Sequence, residues 1–121
     1  MSKNDTIDDF LRSFSCVIIT GASSGIGRAI LSRIYNSGTT AAVFNLSRTP
    51  PEGVPNTCKL THLTCDLAQP TQVEDVVREL RKLMPSEGRI LLVNNSGFGA
   101  YGEFPAPGLD HTLKMVDVNV R

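Results

Sequence analysis

The segment from Thr20 to Gly27 contains three glycines and two serines at a spacing that suits the binding of a phosphate group. Gly21 permits a tight turn, Gly25 lets the backbone approach a pyrophosphate, and Gly27 lets a following helix pack closely on a sheet. Free N–H groups at the start of that helix would then face the anion. We therefore predict a dinucleotide site here, and a Gly/Ser turn without a ligand is the alternative.

The spacing of these glycines separates the pattern from other phosphate-binding loops. It is G-x-x-x-G-x-G, whereas the commoner dinucleotide fingerprint is G-x-G-x-x-G. No Gly-Lys-Ser/Thr follows Gly27, so a nucleoside-triphosphate P-loop is not expected.

A strand before the loop and a helix after it must position these glycines. Residues 16–20 are continuously apolar or β-branched, which favours a strand buried on both faces of a parallel sheet. After the loop, apolar residues at helical spacing predict an amphipathic helix that ends at Gly38. The predicted apolar stripe of this helix is Ile26, Ala29, Ile30 and Ile34.

Further strands and helices alternate along the chain, which is typical of parallel βαβ units. The other predicted strands are 41–46, 60–64 and 90–93; the second of these has the mixed polarity of an edge strand, and the third is continuously apolar. The predicted fold class is therefore α/β, a Rossmann-type doubly wound parallel sheet that is truncated after the fourth strand and its following helix.

Two more helices complete the predicted pattern. One starts at Pro70 or at the capping box Thr71-x-x-Glu74 and stops at Pro85. Its apolar stripe is Val73, Val76, Val77, Leu80, Leu83 and Met84. The other begins near Leu109 and continues to the last residue, Arg121.

Ser47 and Arg48 follow the second strand, where dinucleotide folds recognise the adenosine ribose. An acidic residue there binds the ribose 2′-hydroxyl, whereas a nearby arginine accommodates a 2′-phosphate. Ser47 offers no carboxylate that would repel a phosphate, and Arg48 can make a bidentate, charge-assisted contact. We therefore predict NADP(H) rather than NAD(H), and an arginine that is merely solvated on a loop is the alternative.

Two more candidate groups follow the third and fourth strands, at the carboxyl edge where open α/β sheets bind ligands. Asp66, followed by Leu67, can accept a hydrogen bond from an adenine amino group, and a turn or helix-capping role is the alternative. The segment Asn94-Asn95-Ser96-Gly97 supplies two amides that can brace neighbouring loops and a glycine that admits close backbone approach. A plain turn is the alternative for that segment.

Composition and charge point away from several other classes of function. With 121 residues and 40% hydrophobic content the chain can bury one core, so we predict one domain over 15–121 after an N-terminal leader over 1–14. Twelve basic residues balance twelve acidic ones, so neither a nucleic acid nor a membrane partner is expected. The start is too polar for a signal peptide and no apolar run has membrane-spanning length, which favours a cytoplasmic protein.

The cysteines and histidines do not predict a metal site. Cys16, Cys58 and Cys65 are an odd number with no C-x-x-C pair, so they are expected to be reduced and structural. His62 and Cys65 would point to opposite faces of an extended segment, and His111 lies far along the chain.

Together these motifs resemble the short-chain dehydrogenase/reductase family over nearly the whole chain from Cys16 onward. The resemblance depends on four motifs in order, namely Thr20-Gly21-x-x-x-Gly25-x-Gly27, Asp66-Leu67, Asn94-Asn95-Ser96-Gly97 in place of the family's Asn-Asn-Ala-Gly, and Asn119. It implies reversible hydride transfer between NADP(H) and a small-molecule carbonyl or alcohol. It also implies that Asp66 and Asn94 contact the adenosine part and that Asn119 belongs to a catalytic Asn-Ser-Tyr-Lys group.

The resemblance and the residue types together define the candidate site. The candidate catalytic residue is Asn119. The candidate cofactor-binding residues are Thr20, Gly21, Ser23, Ser24, Gly25, Ile26, Gly27, Ser47, Arg48, Asp66, Leu67, Asn94, Ser96 and Gly97.

The remainder of the family's catalytic group is not found in this sequence. The resemblance implies a serine and a Tyr-x-x-x-Lys motif, but Thr39 stands four residues after Tyr35 and Pro105 four residues after Tyr101. We therefore expect the cofactor-binding portion of an enzyme, inactive by itself. The alternative is a non-catalytic NADP(H)-binding or regulatory module.

The fourth strand gives a separate physical argument for truncation. In the sheet order 3-2-1-4 it lies at an edge, although its continuous apolar sequence is that of a central strand. Further sequence or a partner would be needed to cover it. We therefore expect this chain by itself to be poorly soluble or to self-associate. The protein is also expected to be a homo-oligomer.

Overall fold

The computed structural model describes residues 3–95, with side chains from Thr6 onward. Its strands are β1 (Cys16–Thr20), β2 (Ala42–Ser47), β3 (Leu60–Thr64) and β4 (Ile90–Val93). All neighbouring strands are parallel, in the order β3-β2-β1-β4. The predicted α/β class, the four strands and the sheet order are confirmed, with β2 placed one residue later than predicted.

The helices of this part of the chain are α1 (Lys3–Arg12), α2 (Gly25–Asn36) and α3 (Pro70–Leu83). Of the two predicted starts for α3, Pro70 is correct, because a proline in the first turn gives up an N–H that has no partner within the helix. None of the helices in residues 3–95 is long and apolar enough to cross a bilayer. The helix predicted from Leu109 lies outside the described residues.

Apolar side chains cover both faces of the sheet, because successive residues of a strand point to opposite faces. The cluster on the α3 side includes Cys16, Ile18, Phe44, Leu46, Val73, Val76 and Leu80. The cluster on the α1 and α2 side includes Leu11, Phe14, Val17, Ile19, Leu31, Ile34 and Val43. As its sequence predicted, β1 is buried along its whole length between these two layers.

The N-terminal residues form a helix that the sequence did not predict. Leu11 and Phe14 are each only 8% exposed and belong to the cluster on the α2 side. Arg12 donates to the Ser37 carbonyl oxygen at 2.7 Å, which ties the end of α1 to the end of α2. The residues before 15 therefore share a core with the sheet.

Some residues assigned to buried helical stripes are in fact exposed. Ile26 is 75% exposed and Leu83 is 47% exposed, and Ala29 also faces solvent. Ile34 of the predicted stripe of α2 is buried, together with Gly27 and Leu31, which the stripe did not include. The close contact of Gly27 with the turn after β1 sets the rotation of α2, which carries Ile26 and Ala29 away from the sheet.

Candidate functional site

The glycine loop, residues 20–27, leaves β1 through a turn that only glycine accommodates easily. Gly21 has a φ of 73°, in the left-handed region that side chains disfavour. Its N–H donates to the Leu46 carbonyl oxygen at 3.0 Å. A Cβ added to Gly27 would lie 2.1 Å from the carbonyl oxygen of Gly21, so α2 can begin against this turn only with glycine at position 27.

The start of α2 offers backbone N–H groups to an anion. The N-cap residue Ser24 makes no side-chain capping hydrogen bond. The first N–H groups of a helix have no acceptor within it, and the helix dipole favours negative charge at this end. A Cβ built on Gly25 would meet nothing within 4 Å, so the space beside the loop is open. With Ser23 half-buried and Ile26 exposed, this backbone fits the pyrophosphate of a dinucleotide.

Asn95 braces the glycine loop from the β4 side of β1. Its N–H donates to Thr20 Oγ1 at 2.9 Å, and its Nδ2 donates to the Gly21 carbonyl oxygen at 3.3 Å. Thr20 is fully buried, so its hydroxyl serves this contact. The predicted bracing is therefore carried out by Asn95. Asn94, named as a site residue, is exposed, as Asn95 is.

Asn45 of β2 holds the glycine loop from the opposite side of β1, a role that the sequence analysis missed. Its side chain is fully buried, and its Oδ1 accepts a hydrogen bond from the Ala22 N–H at 2.9 Å. Its Nδ2 donates to Ser47 Oγ at 2.8 Å and lies 3.0 Å from His62 Nδ1. A single amide in an otherwise apolar stretch of strand is the available signal, because a buried amide needs partners.

Ser47 and Arg48 form the turn by which the chain leaves β2. Ser47 is 8% exposed and its Oγ donates to the Thr49 carbonyl oxygen at 2.6 Å, so its hydroxyl shapes this turn. Arg48 is exposed. Because β2 pairs with β1 in parallel, the turn lies at the same sheet edge as the glycine loop. An exposed guanidinium there fits a second phosphate carried on the ribose.

Asp66 and Leu67 have structural contacts after β3. Asp66 Oδ1 accepts from the Ala68 N–H at 3.0 Å, and the Asp66 N–H donates to Gln72 Oε1 at 2.8 Å. These bonds match the turn role that was the alternative for Asp66, and the adenine contact stays a prediction. The Leu67 side chain is 7% exposed within the core on the α3 side, so it presents little surface to a ligand.

Arg28 of α2 contacts the loop that follows the Arg48 turn, residues 49–55, which is rich in proline and glycine. Its Nη2 donates to the Glu52 carbonyl oxygen at 3.0 Å, and its guanidinium lies 5.5 Å from the centre of the Tyr35 ring. Hydrogen bonds from Ser32 and Arg28 lower the pKa of Tyr35. These contacts join the loop to the helix that begins at the candidate phosphate site.

The cysteine thiols have structural surroundings. Cys16 and Cys65 are buried and free, and burial raises the pKa of each thiol to about 11. Cys58 is free and half-buried, and burial raises its pKa as well. Across residues 3–95, no group of three or more histidine, cysteine or acidic side chains comes together to hold a metal ion.

The turns after all four strands meet at one edge of the sheet, because the carboxyl ends of parallel strands lie together. This edge brings together the glycine loop, the Arg48 turn, the Asp66 turn and Asn95. Three predicted site residues, Ser96, Gly97 and Asn119, lie outside the described residues, and their roles stay predictions.

Comparison with known proteins places this arrangement in a family. The family model described as short chain dehydrogenase matches residues 15–121. The uncharacterized oxidoreductase TDA5 of Saccharomyces cerevisiae is 36% identical over 111 residues, which cover 87% of this chain and 33% of that protein. The NADPH-dependent 3-dehydrocapnine reductase of Ornithobacterium rhinotracheale is 31% identical over 109 residues, which cover 85% of this chain and 37% of that protein. The chain thus spans about a third of the length of these relatives.

Solved structures share the fold. A short chain dehydrogenase from Leptospira borgpetersenii with bound NAD+ is similar with a TM-score of 0.64 at 17% identity, over 91% of this chain and 47% of that one. A short-chain dehydrogenase/reductase from Burkholderia vietnamiensis has a TM-score of 0.62 at 22% identity, over 89% of this chain and 51% of that one. With the family match over 15–121, the chain belongs to the short-chain dehydrogenase/reductase family of oxidoreductases.

Proposed function

We propose that this chain forms the NADP(H)-binding part of an oxidoreductase that transfers a hydride between NADP(H) and a small-molecule carbonyl or alcohol. The cofactor choice depends on one observation. Arg48 is exposed on the turn after β2, at the sheet edge of the glycine loop, and the residue before it is a serine and not a carboxylate. A guanidinium attracts a 2′-phosphate at this place, whereas a carboxylate would repel it.

Each part of the proposed site has its own task. The N–H groups at the start of α2, from Gly25 to Gly27, would hold the pyrophosphate. Arg48 would hold the 2′-phosphate, and Asp66 and Asn94 would approach the adenosine part. NADP(H), when bound, supplies or accepts the hydride, so the task of the protein is orientation and electrostatics. Asn119 would belong to the catalytic group.

The relatives support this proposal to different degrees. The Ornithobacterium protein is by name an NADPH-dependent reductase, and it is 31% identical to this chain. The NAD+ in the Leptospira structure belongs to a protein that is only 17% identical, so that structure bears on the fold and not on cofactor choice.

The test is a titration of the chain with NADPH and with NADH, followed by nicotinamide fluorescence. We expect tighter binding of NADPH. Arg48→Ala should weaken NADPH binding by roughly 10- to 100-fold, because a hydrogen bond to a charged group is worth about 1.5–3 kcal/mol. NADH affinity should stay within about twofold, since NADH lacks the phosphate.

A matched control is Arg78→Ala, which removes the same charge from an exposed position on α3. It should leave the NADPH affinity within about twofold, because Arg78 lies eight residues, or about 12 Å, along α3 from the helix start at Pro70, and charges that far from the site are largely screened. Equal losses of NADPH and NADH affinity in Arg48→Ala would show that this arginine supports the turn and does not recognise the phosphate. A wild-type chain that binds NADH more tightly than NADPH would overturn the cofactor assignment.

A further inference from the structure

The buried amide of Asn45 connects the separate parts of the sheet edge. Its Oδ1 accepts the Ala22 N–H of the glycine loop at 2.9 Å. Its Nδ2 reaches Ser47 Oγ at 2.8 Å and His62 Nδ1 at 3.0 Å. One fully buried side chain thus contacts the turn after β1, the end of β2 and the middle of β3.

The partners of this amide fix its orientation. The backbone N–H of Ala22 can only donate, so the atom that faces it must be the amide oxygen. The amide nitrogen then faces His62 Nδ1, which must accept and therefore carries no proton. The proton of the neutral ring lies on Nε2, which is 3.1 Å from Thr64 Oγ1 and can donate to it.

Rotation of the amide by 180° would be unfavourable. It would place the Nδ2 donor against the Ala22 N–H and leave the backbone donor of the glycine loop without its acceptor. An unsatisfied buried donor is costly, so the Ala22 N–H selects one amide orientation, and His62 complements it as the tautomer that accepts at Nδ1.

The same amide also reaches the Arg48 turn. Ser47 Oγ accepts from Asn45 Nδ2 and donates to the Thr49 carbonyl oxygen at 2.6 Å. Arg48 lies between these two residues. A chain of hydrogen bonds therefore runs from the Ala22 N–H through Asn45 and Ser47 to the residue that follows Arg48.

We propose that Asn45 is a positioning residue for the dinucleotide and that His62, by accepting from its Nδ2, helps to hold it in place. Through Ala22 it holds the loop proposed for the pyrophosphate, and through Ser47 it holds the turn proposed for the 2′-phosphate. The inference rests on the proposed function, because a positioning role requires that the edge binds a dinucleotide. It predicts a pattern of affinity losses that differs from that of Arg48.

The first test is Asn45→Ala, titrated with both NADPH and NADH. The pyrophosphate is common to both cofactors, so loss of the loop anchor should weaken both, by about tenfold each. Arg48→Ala should weaken NADPH alone. If wild type binds the cofactors and Asn45→Ala binds both with unchanged affinity, the positioning role is wrong and the proposed function stands. If wild type binds neither cofactor, the proposed function fails, and the positioning role fails with it.

A second pair of variants tests the support that His62 gives to the amide, without altering Asn45. His62→Asn keeps an acceptor near the position of Nδ1, whereas His62→Leu removes it, and both lose the Nε2 contact with Thr64. We expect His62→Asn to keep cofactor affinity within about twofold and His62→Leu to lose about fivefold. Equal affinities in the two variants would overturn the role of His62.

Amide hydrogen exchange supplies a readout that needs no cofactor. In Asn45→Ala and in His62→Leu, the Ala22 N–H should exchange about tenfold faster than in wild type, because its acceptor is absent or has lost one of the hydrogen bonds that hold it. The amide of Ile18 in β1 serves as the internal reference for global unfolding. Unchanged protection of Ala22 in both variants would show that the amide does not hold the loop.

Discussion

Gly27→Ala is expected to destabilise the fold, because the added methyl group has no room. Its Cβ would lie 2.1 Å from the Gly21 carbonyl oxygen and 2.8 Å from its carbonyl carbon. Ordinary contact begins near 3.4 Å, so helix and turn would have to separate by about 1.3 Å, the difference between 3.4 and 2.1 Å. The turn is held by the bonds of Gly21 with Leu46 and with Asn95, so the separation would also break hydrogen bonds.

The magnitude follows from three opposing effects. Alanine is favoured over glycine inside a helix by about 1 kcal/mol, which would stabilise the variant. Overpacking costs about 1–3 kcal/mol, and each of the two hydrogen bonds lost costs about 1 kcal/mol. The net expectation is a loss of about 2–4 kcal/mol in the free energy of unfolding.

The assay is urea unfolding of the chain, followed by circular dichroism. Gly38→Ala is the matched control, because Gly38 has a φ of 79° but an added Cβ would meet nothing within 4 Å. That control should lose only the strain of a left-handed residue, about 1–2 kcal/mol. A Gly27→Ala variant as stable as wild type would refute the reasoning, since it would show that the turn yields to the helix without cost.

Two further predictions concern the core and the partly buried His62. Leu80→Ala should lower the free energy of unfolding by about 2–5 kcal/mol, because Leu80 is fully buried in the cluster on the α3 side. Leu83→Ala is the control, because Leu83 is 47% exposed, and it should lose less than about 1 kcal/mol in the free energy of unfolding measured with urea. Similar losses in the two variants would contradict the assigned rotation of α3. Burial lowers the pKa of His62 from its ordinary value of 6.5. At pH values near and below 6.5 the unfolded chain therefore binds more protons than the folded chain. The free energy of unfolding falls as the pH is lowered through 6.5 towards the lowered pKa. Between about pH 7 and pH 5, wild type should therefore lose more stability than His62→Asn, by at most about 1.4 kcal/mol per pH unit. Parallel pH profiles would show that His62 has the same pKa in the folded and unfolded states.

The strands could be predicted from sequence because each depends on the composition of a short segment. Cys16–Thr20 and Ile90–Val93 are continuously apolar, and Leu60–Thr64 has the mixed polarity of the edge strand that it is. The first helix could not be predicted in the same way. It is short, and Leu11 of this helix and Phe14 just after it are buried in the cluster on the α2 side, so its apolar contacts become visible only when distant segments are packed together.

The glycine motif predicted a close contact between helix and turn, but not which helical face it would select. Four residues at helical spacing predicted a buried stripe, namely Ile26, Ala29, Ile30 and Ile34, of which Ile34 is buried. The contact of Gly27 with Gly21 rotates α2 so that Leu31 is buried and Ile26 is exposed. Two neighbouring helical faces were both apolar enough to be buried, and only the tertiary contact decided between them.

The sequence by itself determined the family and the order of strand, glycine loop and helix, because these follow from local spacing. Only the tertiary structure decided which side chains hold the loop. Asn45 lies 23 residues after Ala22 and 17 residues before His62, and the parallel register of β2 and β3 sets Asn45 opposite His62. A buried amide can be identified as a support for the loop only when both of its partners are known, and strand pairing supplies them.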